Sequence, residues 1–418
     1  MHALSAGDTA WVLASAALVM LMTPAVGFFY GGLVRRKNAL ATLMHSFFIV
    51  CLISVQWALW GYTLAFGPDA NFLGYFHGLI GGLQWLGLQG VGAAPGPYAS
   101  TIPHLAFCIF QMMFAVITPA LISGGFAERK HFKAFVIFTL LWATLVYDPV
   151  AHWVWGQGGW LNKLGTLDFA GGTVVHITSG VSALVAAFVL GRRIGVAPEG
   201  STEPHNMTMV VLGAALLWFG WFGFNAGSAL AANGLAASAF VATNLAAAMG
   251  ALTWMTIHWW RKGTPSVLGA AAGSVAGLVA VTPASGFVTP LGSILIGFGA
   301  GAVCYAAIQW RERMRRVDDS LDVWAVHGIG GTWGALATGL FATVAVNAAG
   351  ANGLFAGNPH QLLVQAVAVA VSWIYAGMMT FAILKVVERF VPLRVSKGEE
   401  ERGLDVSQHA EVAYQLEM

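Results

Sequence analysis

Two histidines stand inside apolar runs, His176 in GGTVVHITSG and His327 in WAVHGIGGTWG, and each follows an aspartate, Asp168 or Asp319, by eight positions. In hydrocarbon an imidazole has no water to satisfy its ring nitrogens, so it needs a partner or a polar path. Two imidazoles side by side are that partner for each other. They share one hydrogen bond, resist double protonation because like charges repel in a dry setting, and keep a nitrogen free for a small polar species or a proton. A metal centre would want more ligands, and no third His, Cys or carboxylate lies one helical turn from either histidine. The competing reading is two unrelated interhelical histidines.

Aromatic residues form a second group. LLWFGWFGFNAGSAL, 216–230, places Phe224 and Ser228 four apart on one helical face. YDPVAHWVWG, 147–156, offers Tyr147, His152, Trp153 and Trp155. Rings with a hydroxyl at a pore mouth bind a small cation by cation–π attraction; the alternative is an interfacial aromatic belt. Asp168 reads as a helix N-cap accepting from Gly171 or Gly172. No window carries Lys or Arg in its central third and none has Asp or Glu at its centre, which disfavours an anion path and ordinary sodium coupling.

What must hold these residues is a membrane bundle. Of 418 residues 57% are hydrophobic and 9% charged, against about 25% charge in globular domains. Eleven apolar windows are long enough to span a bilayer, at 10–34, 42–66, 101–126, 132–153, 171–191, 207–226, 232–259, 265–282, 289–310, 324–347 and 361–387. In this eleven-helix alternation every Lys and Arg except Lys163 falls on one side. The positive-inside rule then puts the N-terminus outside and the C-terminus in the cytoplasm. No basic stretch precedes the first window, so it reads as a retained span. The loop 67–100 reads as a packed, partly helical surface loop. Cys51, Cys108 and Cys304 read as buried apolar residues, and the scattered basic residues give no nucleic-acid groove.

Five windows, 10–191, precede five more, 207–347, with 361–387 as an extra helix. An odd count per half inverts the second half, the parity of an inverted repeat. His176 and His327 then occupy equivalent fifth positions, and Thr118-Pro119 matches Thr282-Pro283. The membrane domain is expected over 1–391, with a cytoplasmic tail at 392–418.

At these residues the chain resembles the Amt/Mep/Rh ammonium transporters, in particular the bacterial Amt branch. The likeness runs through FAVITPALISGGFAER, YDPVAHWVWG, LDFAGGTVVHI, GWFGFNAGSA, VDDSLDVWAVHGIGG and GLDVSQHAEVAY. The resemblance implies a homotrimer in the cell (inner) membrane, among lipids, with one narrow pore per subunit and no cofactor. It implies ammonium recruitment by Trp155, Phe114 and Ser228, a gate of stacked Phe114 and Phe224, and twin pore histidines His176 and His327. Asp168 would order the vestibule, with Tyr147 beside it. Ammonium would lose its proton on entry and pass as ammonia, the proton following separately or by relay. The tail would serve regulation, with a trimeric PII signalling protein as partner at the cytoplasmic mouth.

Two positions depart from the family pattern. Asp148 replaces an uncharged residue, where it would attract cations or join a surface network. Ala410 stands where glycine is usual, which matters if that turn needs positive φ. Alternatives are an electroneutral Rh-like ammonia or carbon dioxide channel, against which Trp155 and Ser228 argue, and an ammonium sensor. An enzyme is not expected, because no nucleophile–base pair or cofactor motif is present.

Overall fold

The computed structural model describes residues 4–70, 77–196, 203–313 and 317–415. Among them nine helices are long and apolar enough to cross a membrane. In chain order these are α1 (Ala6–Leu33), α2 (Arg36–Phe66), α3 (His104–Phe126), α4 (Phe132–Leu164), α5 (Gly172–Leu190), α6 (Met207–Gly227), α7 (Gly234–Lys262), α9 (Pro290–Arg313) and α11 (Pro359–Glu388). The eighth window falls on a shorter apolar helix, α8 (Val267–Val281). The tenth falls on α10 (324–341), which turns away six residues before the window ends.

Small residues let the bundle close. Gly213, Gly220 and Gly223 of α6 lie against Phe29, Met22 and Ser15 of α1, and Gly250 of α7 meets Gly273 of α8 and Gly301 of α9. Without water to drive burial, such close backbone approach supplies the dispersion that holds membrane helices together. Both Thr-Pro steps receive the same treatment: Thr118 Oγ1 donates to Phe114 O (2.6 Å) and Thr282 Oγ1 to Leu278 O (2.7 Å).

The loop after α2, read as packed and partly helical, has residues 71–76 outside the described residues. Its described part holds only a single 3-10 turn, Leu86–Leu88, and a short hairpin pairing Pro95–Gly96 with Ala99–Pro103. Pro97-Tyr98 supplies the turn and Thr101-Ile102 the extended residues. Cys51, expected inside, is exposed on the bundle's outer face, while Cys108 and Cys304 are buried.

The basic flanks of the helices are tied into one ionic cluster. Glu128 accepts from Arg35 (2.9 Å) and Arg193 (3.2 Å), and Arg193 also holds Asp318 (2.9 Å). Burial works against ionisation of Asp318, but hydrogen bonds and charge from Arg193 outweigh it and hold the carboxyl at about 2. Arg315 and Arg316 lie outside the described residues. Lys130 is buried with its ammonium 4.4 Å from the Phe126 ring centre and 4.2 Å from that of Phe138. Burial, then Arg129, lower it to about 7.

The tail packs on this cluster through α12 (Lys397–Arg402) and α13 (Leu404–His409). Asp405 accepts from the backbone of Leu40 (3.1 Å) and Ala41 (2.7 Å), capping the second helix in sequence. Arg394 pairs with Glu400 (2.8 Å). Ala410 ends α13 at φ 56, a left-handed conformation, so the turn does require what glycine supplies freely and alanine adopts at a cost of roughly 1–2 kcal/mol.

Candidate functional site: aromatic rings leading to paired histidines

Both histidines sit on π-helical turns, Gly172–Ile177 at the start of α5 and Trp324–Ile329 at the start of α10. A π-turn adds one residue to the helical circuit and so re-aims the side chains it carries. At the first turn Asp168 accepts from the backbone N–H groups of Gly171 (2.8 Å), Gly172 (2.6 Å), Thr173 (2.8 Å) and Val174 (3.3 Å), and from the Thr173 hydroxyl. The sequence anticipated two of these five donors. Gly171, at φ 114, makes the tight entry possible. Burial raises the Asp168 carboxyl above its ordinary range, and the donors from Thr173, Gly171 and Gly172 oppose that rise. At the second turn Asp319 accepts from Trp324 N (2.7 Å), while its other oxygen has no partner. Burial, then the neighbouring Asp322, push this carboxyl up to about 6.

The two helices cross where the histidines meet. A Cβ on Gly180 would collide with the backbone of Gly328, the residue after His327. This contact of bare backbones brings His176 Nδ1 to 3.2 Å from His327 Nδ1. One nitrogen donates and the other accepts. His176 Nε2 is buried with no partner among the described residues.

A line of rings leads to the pair. Trp155 meets Phe114 edge-on (centroids 6.0 Å, 90°), Phe114 stacks on Phe224 (4.2 Å, 22°), and Phe224 lies 6.1 Å from His176. Ser228, one turn beyond Phe224, donates to Phe224 O (2.9 Å). The Trp155 indole donates to Asp168 O (2.8 Å), so Asp168 anchors the tryptophan as well as the histidine helix. Beyond the rings a cavity of about 470 Å³ begins at His176, Trp221 and His327 and opens past Tyr30 to Lys262 and Asp322.

Tyr147 does not join this line. It is fully buried, its ring lies 6.2 Å from Trp57, and its hydroxyl has no partner. Asp148, for which a surface network was one reading, is completely buried. Its window was read as 132–153; the continuous helix ends at Trp155, where Gly156 turns to an extended conformation, and Asp148 lies two turns before that end.

The sequence reading did not single out Trp221. Its ring stacks on His176 (5.4 Å, 25°) and its indole donates to Thr282 Oγ1 (2.9 Å). The matched Thr-Pro steps were the available signal, since Thr282 is the acceptor that fixes this ring.

The chain is similar to known proteins over nearly its whole length. The model of the Ammonium Transporter Family matches residues 10–414. The chain belongs to the ammonium transporter family. An ammonium transporter of Bacillus subtilis is 53% identical over 413 residues, covering 99% of each chain. Ammonium transporter Amt1 of Archaeoglobus fulgidus is 50% identical over 98% of this chain and 100% of its own. Among solved structures, Saccharomyces cerevisiae Mep2 superposes with a TM-score of 0.87 at 38% identity, over 95% of this chain and 89% of its own. A structure described as a sensor Amt protein matches at TM-score 0.87 and 30% identity, over 96% and 98%. This is an all-α multi-pass membrane protein of a transporter family, and the family's general activity is transport of ammonium or ammonia, without catalysis.

Proposed function

We propose that this transporter recruits ammonium at Trp155, Phe114 and Ser228, that ammonium gives up its proton on entry, to water at the external mouth or to a relay through the histidine pair, and that ammonia passes the Phe114–Phe224 stack and runs along His176 and His327 into the inner cavity. The observation that carries this reading is the 3.2 Å histidine pair lying directly behind the stacked rings. A stack with a 4.2 Å centroid separation leaves no space for a hydrated ion between its rings. A neutral molecule loses far less than an ion on leaving water. The unpartnered His176 Nε2 supports a polar step in an otherwise apolar path. Asp168 holds Trp155 and the first histidine turn in one frame, and Tyr147 serves behind that frame as packing. Current recorded from reconstituted membranes during ammonium pulses, with labelled methylammonium uptake in parallel, tests the scheme. Saturable uptake is expected, and its absence would overturn the scheme.

Trp155→Leu removes the cation–π attraction of about 0.5–2 kcal/mol. Half-saturation by ammonium is therefore expected to rise roughly two- to thirtyfold in a folded protein. Unchanged half-saturation would return Trp155 to the aromatic-belt reading.

We infer eleven spans as a five-plus-five inverted repeat with one added helix, N-terminus outside, over a membrane domain 1–391 and a regulatory tail 392–418. One-sided Lys and Arg and the matching histidine turns support this. Cysteines placed at Gly90 and Ala351 are expected to react with an impermeant reagent from outside, and one at Ser396 is not. Labelling at Ser396 in sealed cells would sink the topology.

The proposed setting is the inner membrane of a bacterial Amt-type system, as a homotrimer with a PII protein at the cytoplasmic face. Native mass spectrometry is expected to give trimers, and PII binding is expected to fail after truncation at Lys397.

A further inference from the structure

Away from the ring-lined path, α2 and α4 face each other at two more π-helical turns, Trp57–Gly61 and Ala143–Tyr147. Gln56 immediately precedes the first and Asp148 immediately follows the second. Gln56 Nε2 donates to Asp148 Oδ2 (2.9 Å) and to Thr144 Oγ1 (3.3 Å), which also accepts from Trp60 Nε1 (3.0 Å) and donates to Leu140 O (3.0 Å). Every donor nitrogen in this cluster is used. Two acceptors are not: Asp148 Oδ1 and Gln56 Oε1 are both buried without a partner. They belong to side chains already joined by one hydrogen bond.

We propose that Asp148 is a proton-binding site, its Oδ1 carrying a proton that Gln56 Oε1 accepts, so that the two side chains form a neutral acid–amide pair between α2 and α4. An ionised carboxylate taken fully out of water costs several kcal/mol unless well compensated. Among the described residues Asp148 has one hydrogen-bond partner, Gln56, and forms no ion pair. A carboxylate accepts at about four lone-pair sites, so a single bond leaves it poorly compensated. A metal or ammonium ion would want more oxygens than this pair presents. A proton supplies the missing donor and gives both orphaned acceptors a partner through one bond.

This pair also explains how an acid is tolerated next to Tyr147, whose hydroxyl is itself unpartnered and within electrostatic reach of both Asp148 and Asp168. A neutral Asp148 adds no second negative charge behind the vestibule that Asp168 orders. The inference does not rest on the transport scheme, and its test reads protonation directly.

The test is infrared difference spectroscopy of the full-length protein in lipid at neutral pH. Asp148→Asn, close to isosteric and able to keep the Gln56 pair, is expected to remove one carbonyl band of a protonated carboxylic acid. Loss of carboxylate bands instead would overturn the proposal. Gln56→Met leaves the acid without its acceptor, and its carbonyl band is expected to shift upward in frequency as hydrogen bonding is lost. An unshifted band would reject Gln56 as the acceptor. Should Asp148→Asn fail to fold, wild-type protein carrying carbon-13 at aspartate carboxyls decides the case against Gln56→Met. An isotope-shifted acid band that moves in that variant supports the proposal, and its absence overturns it.

Discussion

His176→Ala and His327→Ala are each expected to yield a folded protein whose saturable ammonium response is lost, while His77→Ala transports as the parent does. The two pore imidazoles are buried and 3.2 Å apart, and each is the other's side-chain hydrogen-bond partner. Removing one leaves the other with a ring nitrogen unsatisfied, at about 1–3 kcal/mol. It also deletes a polar step from the path. A barrier raised by that amount slows passage about five- to 160-fold. His77 is a sound control because its side chain is 55% exposed and, among the described residues, makes one long contact, with Asp69 at 3.4 Å. Glutamate at either pore position is the sharper variant. Beside the remaining histidine a carboxyl can share a proton, so transport is expected to persist with altered ion selectivity. Normal current and uptake in correctly inserted His176→Ala and His327→Ala proteins would reduce the pair to a packing contact and end the proposed mechanism.

The second large effect belongs to a residue that touches no substrate. Gly180→Ala would put a methyl group onto the Gly328 backbone. Two main chains in contact cannot swing aside as a side chain would, so α5 and α10 must separate. Overpacking of this kind costs typically about 1–3 kcal/mol. Separation also lengthens the Nδ1–Nδ1 bond that depends on the crossing. The expected signature is a lowered maximal rate with half-saturation unchanged, because Trp155, Phe114 and Ser228 lie on other helices. A rise in half-saturation at constant maximal rate would assign Gly180 to the recruitment end. Wild-type values for both would show that the crossing tolerates the extra carbon.

Much of this architecture was legible because the bilayer is an exacting solvent. Apolar windows had to become helices, since backbone groups in hydrocarbon must be satisfied within their own segment. Each window did fall on a helix, although α8 and α10 are shorter than their windows. A buried histidine is expensive enough to announce itself, and two at equivalent places suggest a pair from the sequence alone. Asp168 was readable as a cap from its position ahead of two glycines.

Other features depend on contacts that no local pattern encodes. Cys51 and Cys108 both lie in apolar stretches, yet one faces outward and the other inward, because hydropathy does not say which side of a helix meets its neighbours. The π-turns under both histidines have no signature in the local pattern, and the second of them carries the Gly328 that Gly180 meets at the helix crossing. Trp221 became the ring beneath His176 only through its hydrogen bond to Thr282 on a distant segment. Asp148 shows the division most plainly. Its charge and its place beside Tyr147 were visible in the chain, but its complete burial and its pairing with Gln56 came from α2 and α4 meeting. The amino-acid sequence by itself determined a polytopic helical bundle with two polar residues too costly to be accidental. Only the tertiary structure decided which nitrogens, rings and acceptors face one another, because burial and hydrogen-bond partnership are properties of pairs of segments rather than of either alone.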